Sequence, residues 1–383
     1  MKRKIVCITG TRADYPRVRS VLKEIVSRDN LELYIIVTGS HLLNEYGYSA
    51  QEILNDGFRI SKKVEMFKGD FDSPLGMAEA SARCTKGIAK ALSEINPDLV
   101  LITVDRVETL ASITAASLMN FPIAHIQGGE VTGTIDESIR HAVTKLSHIH
   151  FPATADAAQR IIMMGENKEL VFNTGCPYID EIEDLKPRKL NYLAEKYNFD
   201  QSKRIVIFTQ HSVTTEHEDS LWQVERTIEA LESLLNVQII CFFSNTDVGG
   251  RKIIKRIEKQ KNFVKIPNML SHDFLSLMSY SSLMIGNSSA GIREAPSFEL
   301  PVINIGTRQN GRLRAKNVID VDHDTSKIKK AIDYCLNNND FKKSLNNLKN
   351  PYGDGTAAKK IVDILENIKI NKQLIQKKIS YEI

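Results

Sequence analysis

Cysteine is sparse and scattered. The five residues, Cys7, Cys84, Cys176, Cys241 and Cys335, are odd in number and include no Cys-x-x-Cys pair. That excludes a disulfide framework, argues against structural zinc and fits a reducing cytoplasm. No stretch approaches the roughly 20 apolar residues that a membrane-spanning helix needs. Met1-Lys2-Arg3-Lys4 has the charge of a secretion signal, but only about half a dozen apolar residues follow before Thr9-Gly10-Thr11-Arg12, too few for its apolar core. Charge is also short on one side: 51 Lys+Arg stand against 47 Asp+Glu, a net +4. Spread along this chain, that excess does not argue for nucleic acid or a membrane surface as partner. His-Glu-x-x-His, clustered Asp and the Gly-Lys-Ser/Thr phosphate loop are all missing, as are repeats and low-complexity segments. His148 and His150, which flank Ile149, read as strand surface, and no metal site is expected.

What is present is ordinary globular material. Of 383 residues, 42% are apolar and 26% charged, enough for two or three domains at roughly 100–200 residues each. Short β-branched runs alternate with amphipathic segments from the first residues onward. Strands are predicted at 4–10, 31–39, 99–104, 123–127, 149–152 and 170–173. Helices are predicted at 77–95, 107–119 and 136–147, with another capped by Asp14 and carrying Val18, Val21, Leu22, Ile25 and Val26 on one face. A charged, irregular stretch from Pro177 to Ser202 is followed by a second alternation, with strands at 204–209, 237–243, 263–266, 283–286, 302–305 and 318–321. Near-continuous apolar strands separated by helices predict an α/β chain of two Rossmann-like domains with parallel sheets covered on both faces. The expected division is 1–178, 179–365, and a C-terminal helix and tail at 366–383. The Lys369–Lys378 run reads as a solvated face.

In parallel sheets, ligands bind beyond the C-terminal ends of the strands, so the residues there are the informative ones. Gly10-Thr11-Arg12-Ala13-Asp14-Tyr15 follows the first strand; Arg12 either joins a helix N-terminus in holding an anion or pairs with Asp14. Asp105-Arg106 follows another strand, and Asp105 is either a helix cap or an acid/base group. Gln127-Gly128-Gly129-Glu130 runs through Gly133 into a helix carrying Asp136, Glu137, Arg140 and His141. Carboxylates gathered around a glycine-rich loop favour proton transfer, with helix capping by Asp136 or Glu137 as the plain alternative. In the second half, His211 directly follows an apolar strand, where an imidazole suits proton transfer at neutral pH. Gly286-Asn287-Ser288-Ser289 opens a helix as a phosphate cradle, with Glu294 one to two turns in. Arg308 and Arg312 follow the next strand.

Taken in order, GTRADY (10–15), Asp105-Arg106, GGEVTGTIDESIRHAVTKLSHIH (128–150), QHSVTTE (210–216), GNSSAGIREAP (286–296), INIGTRQNGR (303–312) and YGDG (352–355) resemble the hydrolysing UDP-N-acetylglucosamine 2-epimerases of sialic-acid-type pathways. Seven blocks in register span nearly the whole chain. The resemblance implies a glycosyltransferase-B-like fold with its active site in the interdomain cleft, and the end of the chain packing back toward the first domain. It implies a nucleotide-sugar substrate, UDP-linked or GDP-linked, converted to the free 2-epimer and nucleoside diphosphate through a glycal, without metal or cofactor, in a cytoplasmic homodimer. A transferase of the same architecture, or a non-epimerising nucleotide-sugar hydrolase or binding protein, is the alternative.

Residue by residue, the resemblance makes His211 the catalytic imidazole, and Asp105 and Asp136 acid/base carboxylates. Arg12, Arg106, Ser288 and Ser289 match substrate and diphosphate contacts, and Glu294 the ribose contact. Arg308, Arg312, Arg140 and Asn245 are further substrate candidates. Two departures stand out. The family's His-Gly-Asp-Arg is Thr103-Val104-Asp105-Arg106 here, and its Ile-Glu-Gly-Gly-Glu is Ile126-Gln127-Gly128-Gly129-Glu130. An amide at 127 cannot exchange a proton at neutral pH, so Glu130, Asp105 or Asp136 takes over the role, the sugar differs (a diacetamido-trideoxy hexose fits), or epimerisation is lost.

Overall fold

The structure is a computed structural model. It describes residues 2–69, 71, 73–131, 136–244 and 248–380, and leaves the side chain of Asp136 outside that description. The chain divides into two compact units, one formed by Met1–Glu130, Asp136–Glu183 and Tyr352–Ile383, the other by Val131–Ile135 and Asp184–Pro351.

The first unit holds six parallel strands: β1 (Arg3–Thr9), β2 (Leu31–Val37), β3 (Ile60–Lys63), β4 (Leu99–Thr103), β5 (Ile123–Ile126) and β6 (Ile149–Phe151). Their order is β3-β2-β1-β4-β5-β6, a doubly wound sheet whose winding reverses between β1 and β4. Successive side chains of a strand point to opposite faces, and in β1 both sets are apolar. Ile5 and Cys7 join one core with helices Arg19–Val26 and Ala357–Asn367. Val6 and Ile8 join the other, with helices Pro74–Ile95 and Val107–Leu118.

The second unit repeats the plan with β7 (Arg204–Thr209), β8 (Val237–Phe242), β9 (Phe263–Ile266), β10 (Ser281–Gly286), β11 (Val302–Ile305) and β12 (Val318–Val321). Its order, β12-β11-β10-β7-β8-β9, is the same winding read from the other edge, with the reversal between β7 and β10. Val206 and Phe208 of β7 anchor a core with helices Ser220–Leu231, Gly250–Glu258 and Thr325–Asn337.

Several expectations need correction. Residues 170–173 do not form a strand: Lys168–Leu170 is a 3-10 turn capped by Asn167, and only Val171 bridges to β6. The edge strand β3 was not anticipated, because Ser61, Lys62 and Lys63 give it no apolar run. Asp14 does not cap a helix through its side chain. Its carboxylate accepts hydrogen bonds from the Gly10 and Thr11 N–H groups (2.9 and 2.8 Å) and from the Thr9 hydroxyl (3.0 Å), and the α-helix starts at Arg19. Residues Tyr352–Ile383, not only 366–383, belong with the first unit; there the Asp180 carboxylate accepts from the Ala357 and Ala358 N–H groups.

His148 and His150 are buried rather than on a strand surface. Within the tail, Lys369, Lys372 and Lys378 are exposed. Lys377 is not: its ammonium donates to the Ser147 carbonyl and to buried Glu166. Among the described residues, no helix is long and apolar enough to cross a membrane.

Candidate functional site

Each sheet brings its notable side chains to the place where its winding reverses, the crevice in which doubly wound sheets take ligands. In the first unit, the turns after β1 and β4 meet there. Gly10–Asp14 is folded back by the Asp14 carboxylate. Burial pushes that carboxyl up, but bonds from His41, Gly10 and Thr11 outweigh it and hold the group below its ordinary range. Burial also pushes the Arg12 guanidinium down, yet an arginine remains cationic at any working pH.

After β4, Val104 and Asp105 turn the chain into helix Val107–Leu118, with Arg106 at its N-cap in extended conformation. The Arg106 Nε lies 3.5 Å from Glu108 Oε2. Asp105 forms an ion pair with Arg140, whose guanidinium also donates to the Glu130 carbonyl (2.9 Å) and to Glu137 Oε2 (3.1 Å). Arg140 is fully buried and Asp105 only partly so. One enclosed cation thus ties together the β4 turn, the Gly-rich loop and the helix Asp136–Leu146. That geometry gives Arg140 protein partners in all three segments.

Gln127 opens the Gly-rich loop with φ +65° and is buried. Its carbonyl oxygen accepts from Arg17 (3.2 Å) and its amide donates to the Cys176 sulfur. Both ends of the amide are therefore held inside the first unit. Glu130 is buried as well, and the Asp136 carboxylate lies outside the described residues.

In the second unit, the reversal joins the turns after β7 and β10. Asn287 spans it: Oδ1 accepts from the His211 N–H (2.7 Å) while Nδ2 donates to the His211 carbonyl (2.8 Å). This two-sided clasp fixes the backbone of the candidate catalytic residue, and the His211 Nδ1 lies 3.5 Å from the hydroxyl of buried Ser244. Arg308 and Gln309 both donate to the Asn287 carbonyl, at 3.2 and 2.7 Å. The Arg312 Nε donates to the Val131 carbonyl (3.1 Å).

Ser288 and Ser289 stand partly exposed beside Asn287, and the Ser288 hydroxyl accepts from the Ala290 N–H (3.3 Å). The helix they open is a single turn, Ala290–Arg293, which a 3-10 turn containing Pro296 ends. Glu294 therefore sits at that turn's C-cap, buried, and not deeper in a longer helix. Asn245 lies outside the described residues.

Asn287 and Ser244 were not singled out from the sequence. The sequence placed Asn287 only in the cradle that follows an apolar strand; that this strand adjoins β7 is a fact of topology. Among the described residues, no group of three or more His, Cys, Asp or Glu side chains could hold a metal ion.

The family model for UDP-N-acetylglucosamine 2-epimerase matches residues 23–366. The chain is 38% identical to a UDP-N,N'-diacetylbacillosamine 2-epimerase (hydrolyzing) of Legionella pneumophila, covering 98% of this chain and 99% of that one. It is 35% identical to a UDP-N-acetylglucosamine 2-epimerase of Neisseria meningitidis, over 86% of each chain. The crystal structure of UDP-GlcNAc 2-epimerase from Neisseria meningitidis bound to UDP-GlcNAc shares the fold, with a TM-score of 0.83 at 21% identity over 94% of this chain and 99% of that one. The matched blocks run through both units, and the chain belongs to the UDP-N-acetylglucosamine 2-epimerase family.

Proposed function

We propose that the chain is a hydrolysing 2-epimerase whose substrate is UDP-N,N'-diacetylbacillosamine, releasing UDP and the free 2-epimeric sugar for synthesis of a nonulosonic acid. The observation that carries this reading is the 38% identity, along essentially the full length of both chains, to the Legionella pneumophila hydrolysing enzyme that carries that sugar in its name.

The chemistry asks for three things. Breaking the C1–O bond sends the electron pair to the departing UDP, and cationic Arg12, Arg106, Arg308 and Arg312, with the hydroxyls of Ser288 and Ser289, are the groups proposed to stabilise its charge. The oxocarbenium character at C1 acidifies the C2 proton, which a carboxylate or imidazole removes to give the glycal. Water then adds its hydroxyl to C1 while a proton returns to C2 from the opposite face. Asp105, Glu130, Asp136 and His211 are the proposed proton carriers, and Glu294 is proposed to hold the ribose.

The test is a panel of UDP-N,N'-diacetylbacillosamine, its GDP counterpart and UDP-N-acetylglucosamine, followed by proton and phosphorus NMR in D2O. The expected outcome is fastest release of UDP from the diacetamido sugar, with deuterium at C2 of the free sugar. Release without deuterium would identify simple hydrolysis, and release only with an added acceptor would identify a transferase. Faster turnover of UDP-N-acetylglucosamine would overturn the choice of sugar.

A further inference from the structure

Two residues with left-handed backbone sit side by side at the ends of β4 and β5: Val104 with φ +60° and Gln127 with φ +65°. For a β-branched residue this conformation is a real outlier, and it persists only where the surroundings enforce it. The enforcing group is an imidazole. His125, in β5 and fully buried, has its Nε2 3.0 Å from the Val104 carbonyl oxygen. A carbonyl only accepts, so Nε2 carries the proton. The other edge of the same ring lies under the Gly-rich loop: a Cβ on Gly128 would come 2.8 Å from His125 Nδ1. The imidazole therefore fills the space between the turn that delivers Asp105 and the loop that delivers Glu130.

We propose that His125 is a positioning residue for this reaction, a neutral strut that holds the strained Val104 peptide and so sets the Asp105 carboxylate against Arg140. Its surroundings suit the task. Burial pushes the His125 pKa down to about 3, against a smaller opposing effect of the bond to Val104, so the ring stays uncharged and keeps one fixed donor. The inference rests on Asp105 acting in the epimerase reaction proposed above.

The experiment compares His125→Asn, His125→Gln and Val104→Gly with the double variant Val104→Gly/His125→Asn in the NMR assay. A Gln amide nitrogen reaches the position of Nε2, whereas an Asn amide mimics only Nδ1. His125→Asn is expected to lower kcat by about tenfold or more with KM little changed, since displacements of about 1 Å can cost about 100-fold. His125→Gln is expected to stay within about threefold of the wild type. Glycine holds a positive φ without a clamp, so the double variant should recover to near the rate of Val104→Gly alone.

Retained kcat in His125→Asn, or a double variant no faster than His125→Asn, would overturn the proposal. If His125→Asn does not fold, the double variant decides: turnover near that of Val104→Gly supports the strut, and its absence overturns it. Nitrogen-15 NMR of the histidines provides a readout independent of activity, with His125 expected as the Nε2–H tautomer at neutral pH. The Nδ1–H tautomer would overturn the clamp, whereas a wild type without turnover would remove the epimerase reading and leave the clamp to the tautomer measurement.

Discussion

Asp105, at the end of β4, is ion-paired with Arg140, a guanidinium with no solvent exposure. The cation is also shared with Glu137 and with the Glu130 carbonyl, so one side chain holds three segments of the candidate site. The cation is the enclosed member of the set, whereas Asp105 and Glu137 each keep some contact with water.

Arg140→Met should therefore destabilise the protein, but by less than the ~3–5 kcal/mol of a fully buried pair, because the carboxylates it leaves behind reach water; urea unfolding measures it. Arg140→Lys keeps the charge without the planar fork and should fall between. An unchanged midpoint in Arg140→Met would mean that the pair adds nothing to stability.

His211→Asn should lower turnover by about 100-fold or more while UDP binding, followed by calorimetry, stays nearly intact, since general acid/base groups contribute about 10²–10⁴. Ser244→Ala, which removes the hydroxyl 3.5 Å from His211 Nδ1, should have a much smaller effect. An undiminished rate in His211→Asn would take the imidazole out of the mechanism.

Gln127→Glu tests whether the amide replaces a missing base. Both ends of Gln127 are already bound, to Arg17 and to Cys176, so a carboxylate there would lie against Arg17 and lose the donor to sulfur. Turnover should not rise on any sugar of the panel. A faster Gln127→Glu enzyme would show that position 127 still faces the reacting carbon.

Stability should fall as pH drops below neutrality. Burial pushes the His148 pKa from 6.5 to about 4, only partly opposed by its bond to the Ile375 carbonyl. Between those values the unfolded chain binds the proton and the folded chain does not. The stabilisation present above 6.5 is therefore lost as pH falls toward 4, on the order of 2–3 kcal/mol for this residue. His148→Asn, whose side-chain oxygen can still accept from the Ile123 N–H as Nδ1 does, should flatten that slope in urea titrations at pH 7, 6 and 5. Glu166 acts lower down. Burial raises it, but bonds from His150, Lys145 and Lys377 overcome this and hold it at about 2, so its contribution is present above its ordinary range and disappears only as pH approaches 2.

The apolar runs of β1, β4, β7 and β10 marked buried parallel strands unaided, because a strand covered on both faces has no polar side to confuse the pattern. β3 escaped notice for the opposite reason: an edge strand with Lys62 and Lys63 is held by backbone pairing to β2, which composition does not register. His148 and His150 were misread because alternation along a strand shows which residues share a face and not whether that face is covered. Here the tail from Asn371 to Ser380 covers it, through Leu374 in the core and Lys377 on Glu166.

By itself, the order of residues determined two α/β units and put Asp105, Gln127, His211 and Ser288 at or within two residues of strand ends, since periodicity and strand ends are local properties of the chain. Which strand ends lie side by side was decided by tertiary structure alone: Arg140 beneath Asp105, Asn287 clasping His211, His125 bracing Val104. Those pairings join residues that are distant along the chain through hydrogen bonds and ion pairs, and such bonds depend on three-dimensional proximity that no local pattern encodes.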